Sequence, residues 1–149
     1  LDQNNSLLLG LPKTLTKRLQ MIQNASAKLI FLAKKRDHVT PLLMELHWLP
    51  VEYRILFKLL LLVFKCLHGK APSYLSELLT PYDTVRTMRS SDKFLPVIPK
   101  KHYVSTEKRD FAHRGPQEWN KLPLHIRNCK TTDTFKRHLK THFYRLAYL

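Results

Sequence analysis

The stretch PVEYRILFKLLLLVFKCLHG, residues 50–69, decides the fold. It opens on a proline, which suits the first turn of a helix because the N–H that proline lacks has no partner there. It closes on Gly69, the residue type that most easily takes the left-handed conformation just past a helix end. Between them, apolar residues occupy most sides, and Arg54, Lys58 and Lys65 are the only basic side chains. A helix that is apolar all round belongs at the centre of a bundle. Its apolar run, Leu59–Phe64, is bounded by Lys58 and Lys65 and is far shorter than the roughly 20 residues of a membrane span. The expectation is a mainly α protein, an irregular helical bundle built round a helix at 50–68.

Working upstream, Leu15, Leu19, Ile22, Leu29 and Ile30 recur at helical spacing and predict a helix over about 15–33. Thr14 is its expected cap, and Lys17, Arg18, Gln20 and Lys28 fall on its other face. The basic segment KKRDH at 34–38 is a loop, after which Thr40 caps a short helix with Pro41 in its first turn. Downstream, Ala71-Pro72-Ser73 starts a short helix running to Leu79. Pro81, Pro96 and Pro99 break up residues 80–105, where a small hairpin near 94–105 is possible only as edge strands. Helices at about 107–114, 116–121, 123–127 and 133–147 follow. The last carries Phe135, Leu139 and Phe143 on one stripe beside Lys136, Arg137 and Lys140, and that stripe is expected to pack on the rest of the molecule.

Both tryptophans run into Leu-Pro, as HWLP at 47–50 and EWNKLP at 118–123. With Pro50 as the first helical residue, Trp48 and Tyr53 take the positions of a hydrophobic staple. Trp119 lies a turn before Pro123. Tryptophans beside apolar neighbours are core residues more often than base-stacking platforms, so both are expected to pin a helix start to the core and not to touch a ligand.

The 149 residues match one ordinary domain. Lys and Arg total 26 against 11 acidic residues, a formal charge of +15. Residues 1–80 hold 11 basic and 5 acidic side chains, a net +6, and the remainder holds 15 and 6, a net +9. A basic excess spread along the whole chain points to a polyanionic partner, nucleic acid before anionic membrane. The clusters are Lys13/Lys17/Arg18, Lys34/Lys35/Arg36, Arg86/Arg89, Lys100/Lys101, Lys108/Arg109 and Lys136/Arg137/Lys140. Phosphate contacts from such residues position a nucleic acid without reading its sequence. Cys66 and Cys129 have no metal-ligand spacing and read as free thiols of a reducing, intracellular compartment, nucleus or cytoplasm. His138 and His142 share a helix face, but no further ligands stand at a metal-site spacing, so no metal site is expected. There is no Gly-rich phosphate loop, no GxSxG and no adjacent aspartate pair, and the chain is not expected to be an enzyme by itself. A first residue other than Met is read as a start inside a longer protein.

The blocks GLPKTLTKRLQMIQNASAKLI, HVTPLLMELHWLPVEYRILFKLLLLVFKCLHGKAPSYLSELL, RTMRSSD, WNKLPLHIRN and FKRHLKTHFYRL, in this order, resemble the C-terminal region of the polyproteins of LINE-type, non-LTR retrotransposons. The resemblance covers about residues 7–147. It implies that the chain lies after the reverse-transcriptase palm, whose paired aspartates and magnesium belong to the parent polymerase, with no cofactor in this chain. It implies a thumb-like helical bundle at 1–80, a proline-containing connector at 81–106, and a C-terminal helical segment at 107–149 packing on the first. Around TEKRDFAHRGPQEWN the pattern departs: Phe111, Pro116, Trp119 and Asn120 keep family positions, while Asp110, His113 and Arg114 replace small residues.

A thumb holds a template–primer duplex, so the resemblance implies RNA, DNA or an RNA–DNA hybrid as partner, with the upstream polymerase domain as a second. A membrane surface is not the expected partner. The expected contacts are Lys13, Lys17, Arg18, Lys34, Lys35, Arg36, Arg86, Arg89, Lys100, Lys101, Arg137 and Lys140. The alternative is a helical interaction module of retroelement origin, or an inactive remnant.

Overall fold

The computed structural model describes residues 8–79, 96–98 and 111–149. Its helices are α1 (Lys13–Ile30), α2 (Thr40–Glu45), α3 (Val51–Leu67), α4 (Ser73–Ser76), α5 (Phe111–Asn120), α6 (Leu124–Arg127) and α7 (Thr132–Tyr148). Among the described residues there is no strand, and the protein is mainly α, as the pattern predicts. The small hairpin that the sequence allows near 94–105 lies outside the described residues apart from 96–98.

The apolar helix takes the central place. α3 buries Val51, Ile55, Leu59, Leu60, Val63, Phe64 and Cys66 and packs against α1, α4, α5 and α7. One side, Val51, Ile55 and Leu59, meets Leu9 with Leu19 of α1 alongside. The other joins Leu60, Val63 and Phe64 to Trp119, Leu122, Ile126, Phe135, Leu139 and Phe143. The Phe64 and Phe135 rings stack with centroids 4.3 Å apart, and the Trp119 ring lies 5.6 Å from Phe135. Trp119 is the core residue it was expected to be. α5 approaches α3 this closely because residue 115 is glycine: a Cβ there would stand 3.0 Å from the Val63 side chain.

Four helices start alike. Pro12, Pro50, Pro72 and Pro123 are the N-caps of α1, α3, α4 and α6, with φ from −58° to −52° and ψ from 143° to 150°. The ring locks φ, and the free carbonyl accepts the first helical bonds, for example from Arg54 N–H to Pro50 at 3.1 Å. These caps correct three expectations. Thr14 lies inside α1, Thr40 lies inside α2 after its cap Val39, and Pro50 precedes the first helical residue. The shift of one residue moves the staple positions to Leu49 and Arg54, so Trp48 does not pair with Tyr53. Tyr53 packs instead on Phe143, with ring centroids 5.4 Å apart. α7 alone among these starts uses a side chain, the Thr131 hydroxyl accepting from Thr134 N–H at 3.2 Å.

Each buried Leu-Pro corner leaves a leucine carbonyl off the helix, and a buried carbonyl needs a donor. At the first corner Gln23 Nε2 donates to Leu49 at 2.9 Å. At the second, Arg127 Nε donates to Leu122 at 3.0 Å. Gln20 Oε1 also accepts from the Val51 N–H at 2.8 Å, satisfying a free donor at the start of α3. This explains the largest correction. α1 buries Gln23 and Ala27, and turns Leu15, Ile22, Leu29 and Ile30 to solvent, Leu29 being 75% exposed. Gln20, expected on the outer face, points inward because the corner needs its oxygen.

Helix ends are closed by left-handed residues. Gly69, at φ +63°, donates to Cys66, and Lys70 reaches back to Lys65 at 2.8 Å, the Schellman pattern. The same closure follows α1 at Leu32 (φ +50°) and α2 at His47 (φ +52°), where no glycine announces it. Two further boundaries differ from expectation. α5 runs unbroken through Pro116, because Gly115, Pro116 and Trp119 form one buried face that outweighs the lost hydrogen bond. α4 stops at Ser76 and reaches Leu79 as a turn. Both cysteines are free thiols, and burial pushes the Cys66 thiol up.

Candidate nucleic-acid interface

Trp48 begins where α2 ends. With His47 left-handed, the Trp48 N–H turns back to the Leu43 carbonyl at 2.9 Å. Its own carbonyl accepts from the Tyr148 hydroxyl at the far end of α7. Tyr144, one turn earlier, donates to Met44 at 3.2 Å, and its ring packs edge-on against Tyr148 at 4.9 Å. Burial, and then the neighbouring Tyr144, push the Tyr148 hydroxyl up to about 12, so it stays protonated and remains a donor. The two tyrosines thus tie α7 to the backbone at Met44 and Trp48.

Held there, Trp48 is half-buried and forms one wall of a cavity of about 320 Å³. Leu49, Phe57, Arg54, Lys58 and Lys140 form the rest. Arg54 and Lys58 are one turn apart on α3, and Lys140 comes across from α7, so tertiary packing gathers three cationic side chains round two aromatic rings. Among the described residues no carboxylate lines the cavity. Like charges in a concave site raise its positive potential and favour an anion there, while an aromatic face offers a surface on which a base can stack.

The expected contact residues do not form one site. Lys13 lines a different cavity, with Glu52 and Arg114. Lys17 and Arg18 are exposed on α1, and Lys34, Lys35 and Arg36 are exposed in the following loop. That loop is ordered by its own bonds: Lys34 N–H donates to Asp37 at 2.7 Å, and Lys28 Nζ donates to the Lys35 carbonyl at 2.6 Å. Lys140 and Arg137 share α7 but line separate cavities. Arg86, Arg89, Lys100 and Lys101 lie outside the described residues.

Sequence reasoning missed Arg54, Lys58, Phe57 and Trp48. Arg54 and Lys58 read as isolated exceptions on a central helix, although their separation of four places them on one face. Trp48 read as core, and only the left-handed turn at His47 aims it at the cavity. Among the described residues no group of three or more His, Cys, Asp or Glu is placed to hold a metal ion, and no helix is long and apolar enough to cross a membrane.

No protein-family model matches this chain, and no curated protein or solved structure matches it significantly.

Proposed function

We propose that the chain is a nucleic-acid-binding segment without catalysis of its own, from the region after the palm of a LINE-type retroelement reverse transcriptase. It grips RNA or an RNA–DNA hybrid through backbone phosphates. The observation that carries this reading is the cavity where Arg54, Lys58 and Lys140 surround Trp48 and Phe57. The exposed Lys17 and Arg18 of α1 and Lys34, Lys35 and Arg36 of the following loop add positive charge elsewhere on the surface.

Such binding is indifferent to base sequence and steep in salt, with log K falling by roughly 0.7–0.9 per log unit of salt for each phosphate neutralised. Mobility shifts of the full chain at two salt concentrations, with duplex and single-stranded probes, test it. Lys58→Glu with Lys140→Glu should weaken binding of every probe and flatten the salt slope by about one unit per lysine. Charge reversal at Lys34, Lys35 and Arg36 tests the loop in the same way. Failure to retain any probe at low salt ends the reading.

The exposed apolar side of α1 favours a second reading, a helical interaction module. Under it, no probe is retained, and Ile22→Ser with Leu29→Ser reduces self-association measured by light scattering.

A further inference from the structure

α7 carries a second cavity, of about 370 Å³, distinct from that of Trp48. Arg137, His138, Thr141, His142 and Arg145 line it from one face of α7, and His125 closes it from α6. The spacing of the five α7 positions, i, i+1, i+4, i+5 and i+8, is a single helical face, and the α6–α7 contact adds the sixth residue. The His125 and His138 ring centroids stand 6.3 Å apart, the planes tilted by 49°.

Two chemistries suit clustered imidazoles, and the surroundings choose between them. A cation would face the guanidinium groups of Arg137 and Arg145 in the same cavity, which repel it. Cys129, the nearest thiol in sequence, is turned to the His125 carbonyl at 3.6 Å. An anion meets guanidinium N–H and imidazole N–H donors, while the Thr141 hydroxyl spends its proton on the Arg137 carbonyl at 3.0 Å. Among the described residues no Asp or Glu lines the cavity.

We infer that the cavity between α6 and α7 binds a phosphate group through Arg137 and Arg145, with His125, His138 and His142 making its affinity pH-dependent. The source of the phosphate, a nucleic-acid backbone, rests on the function proposed above. Burial, and next the charge of His125, hold the His142 imidazole below its ordinary value. Near neutral pH it is neutral, and a bound phosphate draws it up. Protons are therefore taken up on binding, and affinity rises as the pH falls. The other charged or titratable groups on these elements are Arg127, Cys129 and Lys130 at α6 and Asp133, Lys136, Lys140, Tyr144 and Tyr148 on α7, where Asp133 pairs with Lys136 at 3.4 Å. α3, also packed on α7, brings Glu52, Tyr53, Arg54, Lys58, Lys65 and Cys66, and none of these lines the cavity.

The test is oligonucleotide anisotropy with the full chain at constant ionic strength across pH 5.5–7.5. Wild type should bind about tenfold more tightly at the acidic end, one proton per tenfold per pH unit being the upper slope. His125→Gln with His138→Gln, both exposed in the native fold, should abolish most of that gain. His138→Arg should raise affinity at pH 7.5 and flatten the profile. Circular dichroism confirms that the variants are folded. A Gln pair that keeps the wild-type pH profile overturns the inference while leaving the proposed function standing. If no oligonucleotide binds, the proposed function fails, and inorganic phosphate decides the pocket: movement of the His138 ring resonances supports it, and unmoved resonances overturn it.

Discussion

α1 and α7 look like the same kind of helix in the sequence. Each runs for 17 or 18 residues, carries an apolar stripe and has several basic side chains beside it. They are used in opposite ways. α7 buries its stripe, Phe135, Leu139 and Phe143, against α3 and the Trp119 ring. α1 leaves Leu15, Met21, Ile22 and Leu29 outside and presents Gln20, Gln23 and Ala27 to the molecule. The difference lies in what each helix meets. α7 meets an apolar surface. α1 meets a Leu-Pro corner, where a carbonyl and an N–H would otherwise be buried unpaired, and unpaired buried groups cost about 1–3 kcal/mol each.

Substitutions can break that contrast, and the largest effect is expected on α7. Phe135→Ala should lower stability in urea unfolding by about 3–5 kcal/mol, because it empties the centre of the aromatic cluster. Gln23→Ala, a polar change on a surface-lying helix, should cost about 1–3 kcal/mol by orphaning the Leu49 carbonyl. A cost below the Leu29→Gln value would show that the corner does not need its donor. Leu32→Gly should stabilise by about 0.5–1 kcal/mol, relieving a left-handed leucine that is 88% exposed and loses little packing. Leu29→Gln, which removes the most conspicuous apolar residue of the α1 stripe, should move stability by less than about 0.5 kcal/mol. Together these would make a buried glutamine matter more than an exposed leucine on the same helix.

Much of the chain's organisation was legible. The central helix, its glycine closure, and the α7 stripe follow from periodicity and end signals. So does the burial of Trp119, whose neighbours are apolar. Residues 107–121 were read as two helices because proline normally ends one, and nothing local reveals that Gly115 lets the backbone close on Val63. The Schellman turns at Leu32 and His47 were hidden for the same reason: neither residue prefers φ above zero, and the hydrogen bonds that hold them there are made by the next residue. Of the candidate site, the basic residues were legible as clusters along the chain. Their grouping was not, since Lys140 joins Arg54 and Lys58 from more than 80 positions away.

The two Leu-Pro motifs mark the division. Sequence alone determined that a helix begins at each proline, because the ring restricts φ and removes a donor whatever surrounds it. Sequence alone also determined the strong positive charge and the central place of the apolar helix. Only the tertiary structure decided that one tryptophan is sealed in the core while the other walls a cationic cavity. It also decided which face of α1 is inside. Those outcomes depend on which unsatisfied backbone groups and which apolar surfaces the fold brings together, and no local pattern encodes a partner that lies across the molecule.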